Sequence, residues 1–348
     1  MTAKSTLTRL RPRRPRGPLT ALLGLLGGAL ALAPATAHAD GLESPATESG
    51  AVQSRTRWNE RDEVHVTPSP GVTVGEVVID NRLGDVRVRG WDRPEIRISV
   101  RKQAPDEHTL DRLKVRLLTM PDGTIRIRTT TLVGVEERQI PLASARIDLT
   151  IELPRDARLA ARTWSGDVDV SGVRKGASLE TGEGTISVRD VTGKVITHTA
   201  KGRQSFDGVR GDVAAAGVAS DVELDDVVGN ELSAKVFEGS VTAHGVRAHS
   251  VVLQTTLGQI IFRGVVLPGG SLDLRSYSGD VSAVLSAPRE VEVVARGRGL
   301  DPLALGLRDV TSSAGTIIGR HGPAGPRARR GHVELGSSSG VLSLTWAN

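Results

Sequence analysis

Four aspartates carry the most suggestive chemistry. Asp85, Asp167, Asp221 and Asp280 each follow a glycine or serine and precede a valine, and two of them sit in Ser-Gly-Asp-Val, at Ser165 and Ser278. Carboxylates recurring in one setting could ladder a hard cation such as calcium, whose ligands are oxygens. A ladder needs acids on neighbouring repeats. The position after the corner instead reads Asp167, Thr185, Arg203, Asp221, Ser240, Gln259, Asp280. Arg203 would repel the ion, and no Gly-Gly-x-Gly-x-Asp calcium repeat is present. The expected role is architectural: Ser and Asp side chains bonding to the backbone N–H groups of their own corner.

Gly336-Ser337-Ser338-Ser339-Gly340 matches the Gly-x-Ser-x-Gly of a nucleophile elbow, but the ten residues after Ser338 hold neither an acid nor a histidine. His198, His244 and His249 are conceivable as a three-histidine metal site, yet no carboxylate is placed to orient them. They are read as surface histidines. Neither a metal nor a cofactor is expected, and no catalytic residue is assigned. A basic Gly and Pro loop from Arg320 to Arg330, with Arg320, Arg327, Arg329 and Arg330, is the candidate partner-binding loop. Four Trp, three Phe and one Tyr are the only aromatics. That poverty argues against a sugar-processing groove.

Charge depends on what becomes of the first 39 residues. Lys4, Arg9, Arg11, Arg13, Arg14 and Arg16 precede an uncharged Leu, Ala and Gly run from Leu19 to Ala33, then Ala37-His38-Ala39. This order predicts a secretory signal peptide cut after Ala39. The general secretory route is favoured, because the residues after Arg13-Arg14 match the twin-arginine signal poorly. The leader holds six of the 45 Lys and Arg and none of the 40 Asp and Glu, leaving 39 cations against 40 carboxylates, a net −1. No cation excess remains to neutralise phosphates, so nucleic acid is not an expected partner. The absence of cysteine excludes disulfides, thiolate zinc and a lipid-modified cysteine anchor.

The elements that position these residues emerge from a count. Taking the glycine of each Gly-x-(Val/Ile) as an anchor gives Gly166, Gly184, Gly202, Ser220 in place of glycine, Gly239, Gly258 and Gly279, with steps of 18, 18, 18, 19, 19 and 21. A period near 20 signals a solenoid. Two residues on stand Val168, Ile186, Gln204, Val222, Val241, Ile260 and Val281; seven on stand Val173, Val191, Val209, Val227, Val246 and Val265. Seven residues before the anchor stand Leu159, Ala177, Val195, Val213, Leu232, Val251 and Leu272. Period-two alternation on both sides of the anchor predicts strand, corner, strand in every repeat.

The expected fold is therefore all-β: a single-stranded right-handed β-helix, or β-solenoid, of about 18–21 residues per repeat. Asp40 to Thr73 reads as an extended lead-in, Val74 to Leu153 as an N-terminal β segment around Gly84 with one helical turn near Asp106 to Leu113, and Pro154 to Asn348 as regular repeats. Gly297 to Val310 and Gly319 to Gly331 read as insertions. About ten rungs at ~4.8 Å make a stack on the order of 45 Å.

With the repeats laid out, the chain resembles a bacterial family of exported candidate adhesins. The resemblance rests on Ile79-Asp80-Asn81-Arg82-Leu83-Gly84-Asp85-Val86, on Gly90-Trp91-Asp92, on Ile151-Glu152-Leu153-Pro154 and on the Ser165 and Ser278 corners. It implies a β-solenoid in the cell envelope, and it brings no catalytic residue with it. Gly84, Gly166, Asp167, Gly184, Gly202, Gly239, Gly258, Gly279 and Asp280 are accordingly read as corners. The expected function is a non-enzymatic structural or binding module. An envelope sensory or regulatory accessory protein docking a membrane partner and a polysaccharide-active β-helix enzyme are the alternatives. The expected partner is an envelope component, whether protein, glycan or anionic surface, and the chain is not expected to be integral to the membrane once the leader is removed.

Overall fold

The computed structural model describes residues 59–67, 73–131, 145–298, 305–324 and 330–347. Among these the chain is β throughout, apart from one short helix, Glu107–Arg112, capped by Asp106, whose carboxylate accepts Thr109 N–H at 2.7 Å. Ala39, where the leader is expected to be cut, lies outside the described residues.

The strand Ala177–Arg189 shows how the sequence makes a rung. Ala177, Leu179, Thr181, Ile186 and Val188 are buried while their neighbours face outward, as alternation requires. The bend comes at Gly184, with φ 144°, where a Cβ would lie 2.2 Å from the Gly166 carbonyl oxygen. Only glycine tolerates both that conformation and that approach. One continuous strand thereby turns from one long face of the solenoid to the other.

Rungs then stack in parallel register. Ahead of the corner, Val77, Leu159, Ala177, Val195, Val213, Leu232, Val251, Leu272 and Val333 lie side by side. Beyond the corner, Val86, Val168, Ile186, Gln204, Val222, Val241, Ile260, Val281 and Leu342 do the same. The two faces enclose one apolar core, closed along the short third side by Val173, Val191, Val209, Val227 and Val246, all fully buried. Val265 departs from this column. Its rung slips in register between His244 and Val246, and the inward place passes to Val266, 5% exposed.

Both ends depart from simple repetition. The strands Thr124–Thr131 and Arg146–Pro154 form one further parallel rung outside Glu76–Leu83 and Val86–Trp91. Antiparallel strands cover it: Leu113–Thr119 on one face, Ile96–Ala104 and then Asn59–Thr67 on the other. Part of the expected lead-in is thus an edge strand. Antiparallel neighbours need only short turns, and alternation alone cannot tell them from solenoid strands.

At the opposite end, Gly331–Trp346 returns to lie parallel to Ser271–Ser278 and Val281–Ser286. Val291–Arg298 stacks outside it, followed by the antiparallel hairpin Arg308–Ser313 and Thr316–His321. Both expected insertions contribute residues to that hairpin. Its two-residue turn, Ala314-Gly315, has positive φ at both positions, 46° and 73°, as a tight hairpin matching strand twist requires.

Candidate functional site

The corner aspartates are occupied. Asp148 Oδ1 accepts Asp85 N–H at 2.9 Å, Asp85 Oδ1 accepts Asp167 N–H at 3.1 Å, and Asp167 Oδ1 accepts Thr185 N–H at 2.7 Å. Asp221 and Asp280 accept Ser240 and Val341 N–H at 2.9 and 2.8 Å. Each carboxylate thus reaches the N–H just past the corner of the next rung. This corrects the expectation that Asp167 ties its own corner: the partner is 18 residues away in sequence and one strand spacing away in space.

A second ladder runs inside and was not anticipated. Three residues before the anchor, Thr163, Thr181, Thr255, Ser276 and Ser337 donate their hydroxyls to the carbonyl oxygens of Gly84, Gly166, Gly239, Gly258 and Gly279, at 2.8–3.1 Å. Asn81 serves the same place with its amide, to Gly84 O and Ile147 O. Corner glycines turn backbone carbonyls inward, and these side chains satisfy them. The signal was available as a column of Thr and Ser interrupting the apolar alternation. Thr199 holds this position too, but its buried hydroxyl has no partner. Gln204, the polar outlier of its column, is fully buried, accepts from Thr197 and donates to Ala216 O and Ser220 Oγ.

The remaining candidates disperse. His198, His244 and His249 are all exposed, and among the described residues no group of three or more acids and histidines is placed to hold a metal ion. Within Gly336–Gly340, Ser337 spends its hydroxyl on Gly279 O and on Gly340 N–H, both at 2.8 Å, so the motif is a rung corner. Arg320 pairs with Asp309 at 3.2 Å. Arg330 forms two hydrogen bonds to Glu290 Oε2, at 2.7 and 2.9 Å, in a pair that leaves their side chains only 17% and 8% exposed. Its charge therefore serves packing. Arg327 and Arg329 lie outside the described residues.

The surface feature with binding character lies where repetition breaks. A groove of about 980 Å³ crosses the outer face ahead of the corners, floored by Lys235, Gln254 and Arg275 on successive rungs. Phe237 and Tyr277, 55% and 66% exposed, stand along it. Arg296, Gly297 and the hairpin turn Ala314–Thr316 form its end wall, pinned by Gly297 N–H donating to Gly315 O at 3.0 Å. Both rings occupy the position two before an anchor, where other rungs carry Arg82, Gly182, Ala200, Val218, Thr256 or Ser338. Trp164, in the same column and 65% exposed, borders a separate hollow of about 390 Å³.

Charge is organised around Glu334. Arg275 reaches its Oε2 at 2.9 Å and Arg296 donates to its Oε1. Burial alone would raise this carboxyl; the hydrogen bonds and charges of the two arginines outweigh it and hold Glu334 below the ordinary glutamate value. Asp273 behaves oppositely. Burial pushes it above the ordinary aspartate value, against the opposing charge of Arg275 at 2.8 Å and with help from Glu334.

The Toastrack DUF4097 family model matches residues 74–291. No curated protein matches the chain. Among solved structures, the chain is similar to a candidate cell adhesion protein from Clostridium sporogenes, at 10% identity, covering 83% of this chain and 100% of that one, with a TM-score of 0.25. It is also similar to a candidate adhesin from Bacteroides fragilis, at 11% identity over 83% and 97% of the two chains, with a TM-score of 0.38. With its repeated glycine corners and a family match spanning well over half its length, the chain belongs to the Toastrack DUF4097 family.

Proposed function

We propose that this protein is an exported, non-enzymatic binding module of the cell envelope, which presents its outer faces to an envelope component. The observation that carries this reading is the division of labour among side chains. Corner carboxylates are spent on backbone N–H groups, while large rings stand exposed beside the hairpin that breaks the repeat. Glycoside hydrolysis, the strongest catalytic rival, calls for two carboxylates facing each other across a cleft. Among the described residues lining the groove, Glu334 is the single carboxylate, and two arginines hold it. The leader-like first 39 residues support export, and among the described residues no helix is long and apolar enough to cross a membrane.

The test is retention of the full chain by washed envelope material at physiological salt. Saturable retention, reversed by solubilised envelope, is the expected result. A chain that stays wholly in the supernatant overturns the reading.

A further inference from the structure

Resting on that reading, we infer that the groove between Phe237, Tyr277 and the Ala314–Thr316 turn binds a sugar chain bearing anionic groups. Three features of the groove converge on this ligand class.

The first is the rings. Phe237 and Tyr277 belong to rungs separated by one other, so they stand about 10 Å apart at the strand spacing. That is close to the repeat of two sugar units. Aromatic faces bury the C–H faces of sugar rings, and rings that are more than half exposed otherwise leave apolar surface in water.

The second is charge. Lys235, Arg275 and Arg296 line the groove against Glu334, with Asp273 paired to Arg275 beside it. Lys235 is exposed and makes no ion pair among the described residues. The guanidinium groups of Arg275 and Arg296 are held in place by Glu334, and such a planar fork fits carboxylate or phosphate oxygens.

The third is the polar lining. Gln254, Thr256, Thr316 and Ser338 line the same space and supply donors and acceptors suited to hydroxyls. A protein partner burying this much surface would favour an apolar centre, which the row of Lys235, Gln254 and Arg275 denies it.

Binding of the full chain to three probes tests this: polygalacturonate fragments, phosphorylated dextran and neutral dextran. At least one polyanion is expected to bind, weakening as salt rises, while dextran does not. Binding of one polyanion alone assigns carboxylate or phosphate as the recognised group; binding of both assigns their shared charge. Tyr277→Ala and Phe237→Ala should each weaken binding by roughly tenfold or more, and Lys235→Gln should flatten the salt dependence. Trp164→Ala should change neither, and melting temperatures should match the parent. The inference is overturned if neither polyanion binds, if dextran binds equally, or if the ring variants bind as the parent does. Envelope retention that persists in both ring variants, or that survives glycan digestion, also overturns it while leaving the proposed function standing. Loss of retention in the parent chain sinks the proposed function itself.

Discussion

Asp167 Oδ1 accepts the backbone N–H of Thr185 at 2.7 Å, joining the corner of one rung to the corner of the next. A short acidic side chain beside a glycine thus acts as a strap between strands. Asp167→Ala should lower stability by about 1 kcal/mol and the melting temperature by a few degrees, with Asp167→Asn recovering most of the loss because its amide oxygen still accepts. Thermal unfolding of the three chains checks this.

The inner ladder makes a prediction with opposite signs at one structural position. Thr181→Val removes the donor to Gly166 O and should cost about 1–2 kcal/mol, whereas Thr199→Val removes a buried hydroxyl with no partner and should stabilise by about 1 kcal/mol. Denaturant midpoints moving in the same direction would contradict the ladder.

Gly202 has φ 141°, and a Cβ there would lie 2.0 Å from Gly184 O. Gly202→Ala should cost more than about 2 kcal/mol, since neither a rotamer change nor a small shift relieves a backbone clash at positive φ. Amide hydrogen exchange should show protection lost in the flanking rungs first.

Glu334 gives the acid dependence a sign. Its folded-state value lies below the ordinary glutamate value, so its contribution to stability is complete above that value and disappears as pH falls through the lowered one. Glu334→Gln should therefore destabilise at neutral pH, with the gap to the parent closing in acid. Asp273 is raised, so its ionisation opposes folding above the ordinary aspartate value near 3.8. Asp273→Asn should relieve that at neutral pH. Unfolding curves from acid to neutral pH distinguish the two.

Arg330→Ala leaves Glu290 buried without its nearest cation and should cost about 3 kcal/mol. Equilibrium unfolding checks the size. The same pair means that deleting the whole 320–330 loop perturbs the fold, so a binding defect in such a deletion would not identify a docking loop.

How far the sequence reaches follows from these same residues. Val168, Val170 and Val191 can be placed inward by counting, because a fold that stacks one unit writes its core as a column. The partner of Asp167 cannot be found that way: it depends on which strand lies alongside, and the local turn looks equally satisfied by its own backbone. Val266 replaces Val265 through a register slip that leaves no local mark. Phe237 and Tyr277 belong to one column but become a groove only through the Ala314-Gly315 turn, contributed by a hairpin outside the period. Antiparallel caps share the alternation of parallel rungs, so the ends were the least readable part.

The most direct test measures melting temperature and envelope retention together in Asp167→Ala and Tyr277→Ala. Corners that build and a groove that binds predict a double dissociation: Asp167→Ala melts lower but is retained, while Tyr277→Ala melts as the parent does but is released. Retention lost in a still-folded Asp167→Ala, with Tyr277→Ala retained as the parent is, would contradict the account.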